Sequence, residues 1–309
     1  MLKTREQAFF YQAYQLQLSV PFRCPELLEA DEQSALFPKV TISYSNVCNA
    51  LDSPLNKGVV YEANEQEFLF RIDGVGKFLI SNGNQIAIEK EPNVHDDVIR
   101  LYLFGSVMGA LLNQRGLLTL HASAIHTVKG AVLFVGESGA GKSTTLQEFI
   151  RRDYRKLADD TVPLDFDEQR KKLMVVPAYP QSKIWQDSCE MLDQDVSMMR
   201  RIRPDINKFA ISTKKYFYNE ITPLFAIYDL TCSNNSSAVD IEELKNNDKF
   251  KVIYHNTYRR RYAENLKLKQ KHFLISTLIS DQVTIKRVKR PSRNNTLHEL
   301  ADMIEQDFC

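Results

Sequence analysis

The sequence has few of the features that mark disulfide-rich, zinc-binding or secreted proteins. Its five cysteines are odd in number and scattered, and no two of them form a Cys-x-x-Cys pair. This spacing argues against both a disulfide framework and a zinc site, and it suits a reducing compartment. We therefore expect a cytoplasmic protein.

Excess charge and long apolar runs are also missing. The formal net charge is +1 over 309 residues, so no global basic field would draw the chain onto nucleic acid or a membrane. The longest apolar segment, Leu101 to Leu112, has 12 residues and contains two glycines, whereas a membrane span needs about 20. We expect a buried helix there, and neither nucleic acid nor membrane as a partner.

The remaining composition is that of an ordinary globular protein, 43% apolar and 26% charged, with enough residues for two domains. Residues 1–95 alternate polar and apolar positions in several short runs, which predicts strands. The strongest signal is a hairpin from Lys77 to Glu89 through an Asn-Gly turn. This sheet could bind a substrate or partner, or it could only support the rest of the chain.

A helix should follow the sheet. Asp96 or Asp97 is a suitable N-cap, and Gly116 is a suitable stop after Gln114. We expect this helix, over residues 96–116, to link the β-rich region to a second domain over residues 117–309.

The second domain contains a complete G-x-x-x-x-G-K-[ST] motif. Its residues are Gly136, Glu137, Ser138, Gly139, Ala140, Gly141, Lys142, Ser143 and Thr144. An apolar run, Ala131 to Val135, precedes the motif and predicts a buried strand, and the pattern from Lys142 to Arg152 predicts a helix. A strand, a glycine loop and a helix in this order are the context in which the motif indicates a phosphate-binding loop.

The residue types in the motif explain what it would bind. Glycines let successive backbone N–H groups point inward, and the helix N-terminus adds partial positive charge. Lys142 would reach the β- and γ-phosphates, and the Ser143 hydroxyl would bind Mg²⁺. The sequence therefore predicts a nucleoside triphosphate, ATP or GTP, as a ligand.

Phosphoryl transfer also needs a base and acidic metal ligands. Asp159 and Asp160 follow an apolar pair and come shortly after the loop helix, although Asp-Asp before Thr161 could also be a simple turn. His121 lies on the strand before the loop strand and could reach the mouth of the loop, or it could be a buried core residue. Asp229, at the end of another apolar run, is a rival metal ligand.

Together, these residues resemble the HPr kinase/phosphorylase superfamily. The similar spacing runs from His121 through the 136–144 loop to Leu157-Ala158-Asp159-Asp160. The resemblance implies an α/β phosphate-loop kinase core related to phosphoenolpyruvate carboxykinase, with a β-rich N-terminal domain. It also implies Asp160 or Asp159 as the base, His121 as its support and Ser143 at the Mg²⁺. From the residue types alone, Asp160 is also expected as a metal ligand beside Ser143. Family members form oligomers, so we expect a homo-oligomer.

The sequence departs from that family in two places. Thr144 stands where family members usually have Glu after the loop serine, and the glycine-rich loop tied to the reverse reaction has no counterpart. The sequence looks closer to the HPr-kinase-like proteins of lasso-peptide biosynthesis, which phosphorylate a precursor peptide near its C-terminus. Three stretches carry it: Val20 to Leu27, Asn113 to Ala124 and Pro177 to Trp185.

The stretch after Pro180 is expected to line the site. We expect a short helix from about Ile184 to Met191. Lys183 and Trp185 could face a substrate or nucleotide or could pack against a helix, and we favour packing. Beyond it, basic residues could hold an acceptor carboxylate or the transferred phosphoryl group. These are Arg200, Arg201, Arg203 and Lys208.

The function expected from the sequence is that of a Mg²⁺-dependent serine kinase. It would transfer the γ-phosphoryl of ATP or GTP to a peptide or protein, as the resemblance implies. Two alternatives stay open: a kinase of small hydroxyl compounds, and a nucleotide-bound regulatory protein that transfers nothing.

Overall fold

The computed structural model describes residues 8–34, 36–192, 195, 199–203, 206–234, 237–263, 266–292 and 296–309. It is a mixed α/β structure with several sheets. The chain divides into two compact units, Met1–Leu117 with Arg259–His272, and Leu118–Tyr258 with Phe273–Cys309.

The first unit contains a nine-stranded sheet. Its strands are β1 (Phe9–Ala13), β2 (Leu16–Val20), β3 (Leu28–Glu29), β4 (Lys39–Tyr44), β5 (Asn56–Lys57), β6 (Tyr61–Ala63), β7 (Glu67–Ile72), β8 (Gly76–Ser81) and β9 (Gln85–Lys90). The strand order is β3-β1-β2-β4-β9-β8-β7-β6-β5. The predicted hairpin is confirmed as β8 and β9, whose register runs from Gly76–Lys90 to Ser81–Gln85 around Asn82-Gly83.

Alternation of side chains explains why this segment forms a sheet. Residues of β8 alternate between buried and partly exposed positions along the whole strand, as a strand with one covered face requires. Phe78 and Ile80 from β8 and Ile86 and Ile88 from β9 are almost fully buried. They therefore form part of the core on one face of this sheet.

The helical segment after the sheet is confirmed, with a kink that the sequence pattern did not predict. It consists of α1 (Asp96–Tyr102), a π-helical turn (Leu103–Val107) and α2 (Met108–Gln114), and Gly116 follows with φ of 78°. The kink lies at Gly105, whose backbone angles are not helical. Residues 103–113 are buried, as expected for the apolar run. Among the described residues, no helix has both the length and the apolarity to cross a membrane.

The second unit contains the larger number of strands. They are β10 (Leu118–Leu120), β11 (Ser123–Thr127), β12 (Gly130–Val135), β13 (Arg155–Asp159), β14 (Val162–Asp167), β15 (Lys172–Val175), β16 (Gln181–Trp185), β17 (Arg200–Arg203), β18 (Ile206–Ser212), β19 (Thr222–Ser233), β20 (Asp240–Glu243) and β21 (Thr284–Pro291). The helices are α3 (Lys142–Arg151), α4 (Gln186–Met191), α5 (Asn247–Asn256), α6 (Leu266–Gln282), whose first residues belong to the first unit, and α7 (Leu297–Phe308). Short 3₁₀ turns cover Lys214–Tyr216 and Arg260–Ala263.

The main sheet of the second unit has the order β10-β14-β15-β19-β12-β11-β13, and β21 pairs with both β19 and β20. Its central strand β12 is buried at all six positions and runs parallel to β19 and antiparallel to β11. Helices α3 and α7 pack on this sheet through Leu146, Phe149, Ile304 and Phe308. This packing fixes the end of β12, from which the glycine-rich loop leaves.

A separate three-stranded sheet, of order β16-β18-β17, follows the main sheet. The sequence led us to expect a helix from about Ile184, but residues 181–185 form strand β16 and the helix begins only at Gln186. The reason is an alternation of Ser182 and Ile184, which are buried, with Gln181, Lys183 and Trp185, which are not. Lys183 and Trp185 therefore lie on the less buried side of a strand, and the favoured alternative, packing against a helix, is not what the structure shows.

Candidate functional site

The glycine-rich loop connects the buried strand β12 to the first turn of α3. Gly136 has φ of 137°, and a Cβ there would lie 2.4 Å from the carbonyl oxygen of Leu230, so a larger residue would force the two strands apart. Gly141 is the N-cap of α3 with φ of 103°, in the left-handed region that favours glycine. Glu137, Ser138 and Gly139 are exposed at the tip.

Lys142 is buried and folds back over the loop that precedes it. Its ammonium donates to the carbonyl oxygens of Gly136 at 2.8 Å and Glu137 at 3.0 Å. Burial lowers the pKa of Lys142, and the nearby carboxylates of Asp160 and Asp159 partly oppose that effect. The ammonium is thus held at the concave side of the loop.

Asp159 is the point at which three segments of the chain meet. Its Oδ1 accepts hydrogen bonds from the hydroxyls of Ser123, at 2.7 Å, and Ser143, at 3.0 Å. Its Oδ2 lies 3.4 Å from the backbone N–H of Lys183, which donates to it. The carboxylate is almost fully buried, so these donors hold it in one orientation.

Asp160 follows directly but has a different environment. Its φ of 72° lies in the left-handed region, so the strand ends and the normal alternation of side chains stops at this residue. Its Oδ1 is 3.3 Å from Nδ1 of His121, and its Oδ2 is 3.6 Å from Nζ of Lys183. Burial alone would raise the pKa of Asp160, but the hydrogen bond from His121 and the charge of Lys183 lower it well below its usual range.

His121 lies between β10 and β11, and not within a continuous strand as expected. Its Nδ1 is also 3.0 Å from the carbonyl oxygen of Asp160, and its ring lies 6.2 Å from that of Tyr258. Strand β11 pairs with both β12 and β13, which is how the sheet brings His121 beside Asp160.

Asn256, at the end of α5, is a residue that the sequence did not single out. Its side-chain Oδ1 accepts a hydrogen bond from the backbone N–H of Gly136, at 2.9 Å. Its backbone carbonyl accepts from the N–H of His121, at 2.7 Å. One residue thus fixes both the start of the loop and the backbone of His121. An Asn at a helix end is a common stop signal, so these contacts could not be predicted from the local sequence.

Asp229 is close to the loop but is already paired. It lies opposite Val135 in the parallel register of β12 and β19. Its Oδ2 accepts a hydrogen bond from Nε of Arg287 at 3.0 Å and forms an ion pair with Nη2 of the same guanidinium at 2.9 Å. Asp229, the alternative metal ligand, is therefore already in an ion pair. The structure instead brings together the other predicted site residues: Lys142, Ser143, Asp159, Asp160 and His121.

A cavity of about 1060 Å³ opens over the first half of the loop. Its lining residues come from the loop, β19, β21, α5 and the link between β10 and β11: His121, Gly136, Glu137, Ser138, Gly139, Ala140, Asp229, Leu230, Thr231, Cys232, Asp248, Lys251, Val252, His255, Asn256 and Arg287. Ligand pockets of small molecules commonly have about 300–1,000 Å³, so this cavity has room for a nucleoside. Because His121 lines it, the cavity reaches the side of Asp160 that carries the imidazole.

Lys156 supports the other side of the site from within the core. Its ammonium is fully buried and donates to the carbonyl oxygens of Tyr179, at 3.0 Å, and Gln181. Burial lowers the pKa of Lys156 to about 7, with an opposing effect from Asp159. These bonds tie strand β13, which ends at Asp159, to the start of β16, which carries Lys183.

Thr144, the residue that departs from the family pattern, contacts helix α4. Its hydroxyl donates to Oγ of Ser188 at 2.8 Å, and both residues are buried. This pair connects the first turn of α3 to α4. At this position the side chain makes a hydrogen bond within the protein.

Comparison with known proteins finds similarity among solved structures. No protein-family model matches the sequence, and no curated protein is similar to it. The chain is similar to the structure of the Hpr(Ser) kinase/phosphatase from Coxiella burnetii, with 12% identity, coverage of 62% of this chain and 95% of that chain, and a TM-score of 0.33. A structural similarity at this level does not indicate a function, so the function must be inferred from the site itself.

Proposed function

We propose that the protein is a Mg²⁺-dependent serine kinase that transfers the γ-phosphoryl group of ATP or GTP to a peptide or protein. The observation that carries the proposal is the meeting of Ser143 with Asp159 at the start of α3, beside the Asp160–His121 pair. A glycine loop alone binds phosphate. A hydroxyl, two carboxylates and an imidazole next to it are the groups that transfer requires.

The triphosphate would lie along the glycine loop. The backbone N–H groups of residues 139–143 and the N-terminus of α3 supply positive partial charge, and Lys142 supplies a full charge. The nucleoside would occupy the cavity over the first half of the loop, where Asp248, Lys251 and His255 offer polar contacts. The γ-phosphoryl group would then point toward Asp159 and Asp160.

The groups around Ser143 suit a magnesium ion. The hydroxyl of Ser143 and the carboxylate of Asp159 are hard oxygen donors 3.0 Å apart. Among the described residues, no group of three or more His, Cys, Asp or Glu side chains could hold a metal. Mg²⁺ usually takes one or two carboxylates and completes its shell with waters and substrate phosphates. When bound, Mg²⁺ would neutralise charge on the β- and γ-phosphates.

This arrangement favours one assignment of the two carboxylates. Asp159, hydrogen-bonded to Ser143, would hold the metal, in place of the Asp160 expected from the sequence. Asp160, beside His121 and Lys183, would act on the acceptor. The serine oxygen forms a bond to the γ-phosphorus, the bond to the β–γ bridging oxygen breaks, and its electron pair leaves with the nucleoside diphosphate. The serine proton passes to Oδ2 or Oδ1 of Asp160.

The lowered pKa of Asp160 is compatible with this role. A carboxylate that stays ionised is always ready to accept the hydroxyl hydrogen bond and orient the attacking oxygen. The transition state of phosphoryl transfer is loose, so the proton leaves late and little base strength is needed. His121 would hold the carboxylate in place through its contact with Oδ1.

We further propose a separate role for each of three segments of the chain. Residues 117–309 would form the catalytic domain, residues 96–116 a linking helix, and residues 1–95 a domain that binds substrate or a partner. Following the narrower family resemblance, the acceptor would be a serine near the C-terminus of a lasso-peptide precursor, in the cytoplasm. A homo-oligomer is part of the same proposal.

The test is transfer from labelled nucleotide. The full chain would be incubated with γ-labelled ATP or GTP, Mg²⁺ and a panel of serine-containing peptides, with free hydroxyl compounds in parallel. Label in a peptide supports the proposal. Label only in a small hydroxyl compound would replace it with a small-molecule kinase, and nucleotide binding with no transfer to any acceptor would favour a regulatory protein.

A further inference from the structure

The antiparallel pairing of β11 with β12 stops just before the glycine loop. The pair nearest the loop is Ser123 with Phe134. Two more residues of the same register would place His121 directly opposite Gly136. Strand β11 begins only at Ser123, however, so His121 lies outside the paired region. The two strands therefore separate at the point where each would reach a residue of the site.

Asn256 bonds to both residues of this unformed pair. Its side-chain Oδ1 accepts from the backbone N–H of Gly136 at 2.9 Å, and its backbone carbonyl accepts from the backbone N–H of His121 at 2.7 Å. A third segment of the chain thus satisfies both donors at the end of the ladder. Asn256 lies between the two strands and holds His121 and Gly136 apart.

The position of Asn256 is itself fixed by a helix and a strand. Its Nδ2 donates to the carbonyl oxygen of Val252, one turn earlier in α5, at 2.9 Å. Two residues further on, the N–H of Tyr258 donates to the carbonyl oxygen of Thr119 on β10, at 2.8 Å. The side-chain amide thus uses its donor on the helix and its acceptor on the loop.

The two residues that Asn256 separates have different tasks in the proposed reaction. Nδ1 of His121 lies 3.3 Å from Oδ1 of Asp160, the proposed base. The carbonyl oxygen of Gly136 accepts from the ammonium of Lys142 at 2.8 Å. His121, Gly136 and Asn256 also line the same cavity. The separation between the base and the phosphate-binding loop therefore depends on a residue that belongs to neither.

We propose that Asn256 is a positioning residue for phosphoryl transfer, an inference that rests on the proposed kinase function. It holds the His121–Asp160 pair at a fixed separation from the glycine loop, and it acts on the transfer step more than on nucleotide binding. Its three contacts described above do not include the backbone N–H groups of residues 139–143, which would hold the phosphates. A misplacement of about 1 Å between reacting groups can cost about 10²-fold in rate.

Three variants of the full-length chain isolate the bond to the loop. Asn256→Ala removes both side-chain hydrogen bonds. Asn256→Asp keeps an oxygen for the N–H of Gly136 and loses the donor to Val252. Thr257→Val is the matched control, because the hydroxyl of Thr257 donates to the carbonyl oxygen of Ile253 at 2.9 Å. That bond also spans four residues at the end of α5, but it involves neither the loop nor His121.

The first measurement separates kcat from nucleotide affinity, with a serine peptide that accepts label and a non-hydrolysable ATP analogue with Mg²⁺. In Asn256→Ala, kcat should fall by about 10- to 100-fold, while the Kd of the analogue should change by less than about threefold. Asn256→Asp should recover most of kcat, but its Kd should rise because the new carboxylate lines the cavity beside the phosphates. Thr257→Val should match the wild type in both. A residue that only stabilised the fold would not move kcat and Kd separately.

The second measurement is amide hydrogen exchange resolved at single residues, which requires no catalysis. In Asn256→Ala the N–H groups of Gly136 and His121 should exchange about tenfold faster, because the first loses its acceptor and the acceptor of the second is released. Thr257→Val should leave both rates unchanged. If Asn256→Ala fails to fold, Asn256→Gln replaces it, since that variant keeps both polar groups and displaces them by one methylene.

The outcomes distinguish this inference from the kinase proposal. Unchanged exchange at His121 in Asn256→Ala, or equal losses of kcat in Asn256→Ala and Thr257→Val, overturn the positioning role even if the wild type transfers phosphoryl groups. Faster exchange at both N–H groups, with no transfer by the wild type to any acceptor, contradicts the kinase proposal and the role in transfer with it. Faster exchange together with a selective loss of kcat supports both.

Discussion

The hydroxyl of Ser143 donates a hydrogen bond to Oδ1 of Asp159 at 3.0 Å, although the two residues lie 16 positions apart. The contact joins the first turn of α3 to the end of β13. It is completed by Ser123 on β11, the strand between β12 and β13 in the sheet. The end of the glycine loop and the acidic pair are thus held by one small network.

Lys142→Ala should remove transfer and spare the fold. The ammonium makes two hydrogen bonds to loop carbonyls, but burial disfavours its charge, so the free energy of unfolding should change little. Nucleotide affinity and transfer should both fall, because the phosphates lose their point charge. Thermal unfolding and labelled-nucleotide assays would be compared in parallel. Full transfer activity in the variant would contradict the phosphate-loop hypothesis.

Asp160→Asn should lower transfer by about 10²- to 10⁴-fold, the usual contribution of a general base. Nucleotide affinity should change much less if Asp159 and Ser143 hold the metal. The variant should fold, because Asn is among the residues that tolerate a left-handed backbone. Single-turnover transfer and nucleotide binding are the measurements. Asp229→Asn is the comparison: if it is inactive while Asp160→Asn is near wild type, the acidic centre is Asp229.

Lys183→Met should shift the acid limb of the pH–rate profile to higher pH. The cation near Asp160 favours the ionised carboxylate, so its removal raises the pKa of Asp160. The carboxylate must be ionised to accept the serine proton, so activity should be lost at a higher pH as the solution is acidified. Lys183→Arg keeps the charge and should keep the wild-type profile. Coincident acid limbs of kcat/KM in the Met and Arg variants would show that the charge of Lys183 does not act on Asp160.

Lys156 should make stability depend on pH just above neutrality. Burial lowers the pKa of Lys156 to about 7 in the folded protein, whereas the unfolded chain titrates near 10.5. Between these values the unfolded state binds more protons, so stability rises with pH. Relative to Lys156→Met, the wild-type free energy of unfolding should increase by roughly 2 kcal/mol from pH 7 to pH 9.

Urea unfolding of both proteins at several pH values measures this difference. Subtracting the free energy of unfolding of Lys156→Met from that of the wild type removes the contributions of the tyrosine and cysteine titrations, which both proteins share. A difference that is independent of pH would mean that Lys156 keeps its ordinary pKa despite its burial.

Local patterns predicted the parts of the molecule that are continuous in sequence. The glycine loop with its flanking strand and helix, the β8–β9 hairpin and the buried segment after Asp96 all follow from spacing within about 20 residues. Their contacts are local, so propensity and periodicity are enough. The acidic pair was also found from sequence, but only its position was predictable and not the separate partners of its two carboxylates.

The parts that the sequence did not predict depend on contacts between distant residues. Asn256 meets Gly136 across 120 positions, and no local pattern carries such information. Lys183 was misjudged because a run as short as residues 181–185 can be strand or helix, and pairing with β18 decides between them. Once that run is a strand, its odd-numbered side chains lie opposite the core and one of them reaches Asp160.

The left-handed backbone of Asp160 has a consequence for anyone who modifies this protein. At φ of 72° most side chains are strained by about 1–2 kcal/mol, and glycine is not. Glycine at this position would relax the backbone, but it would also delete the carboxylate that meets His121 and Lys183. A carboxylate whose pKa is lowered in the folded state stabilises that state at neutral pH, so the two effects oppose each other. A substitution at 160 chosen only for its backbone angles would remove the proposed base.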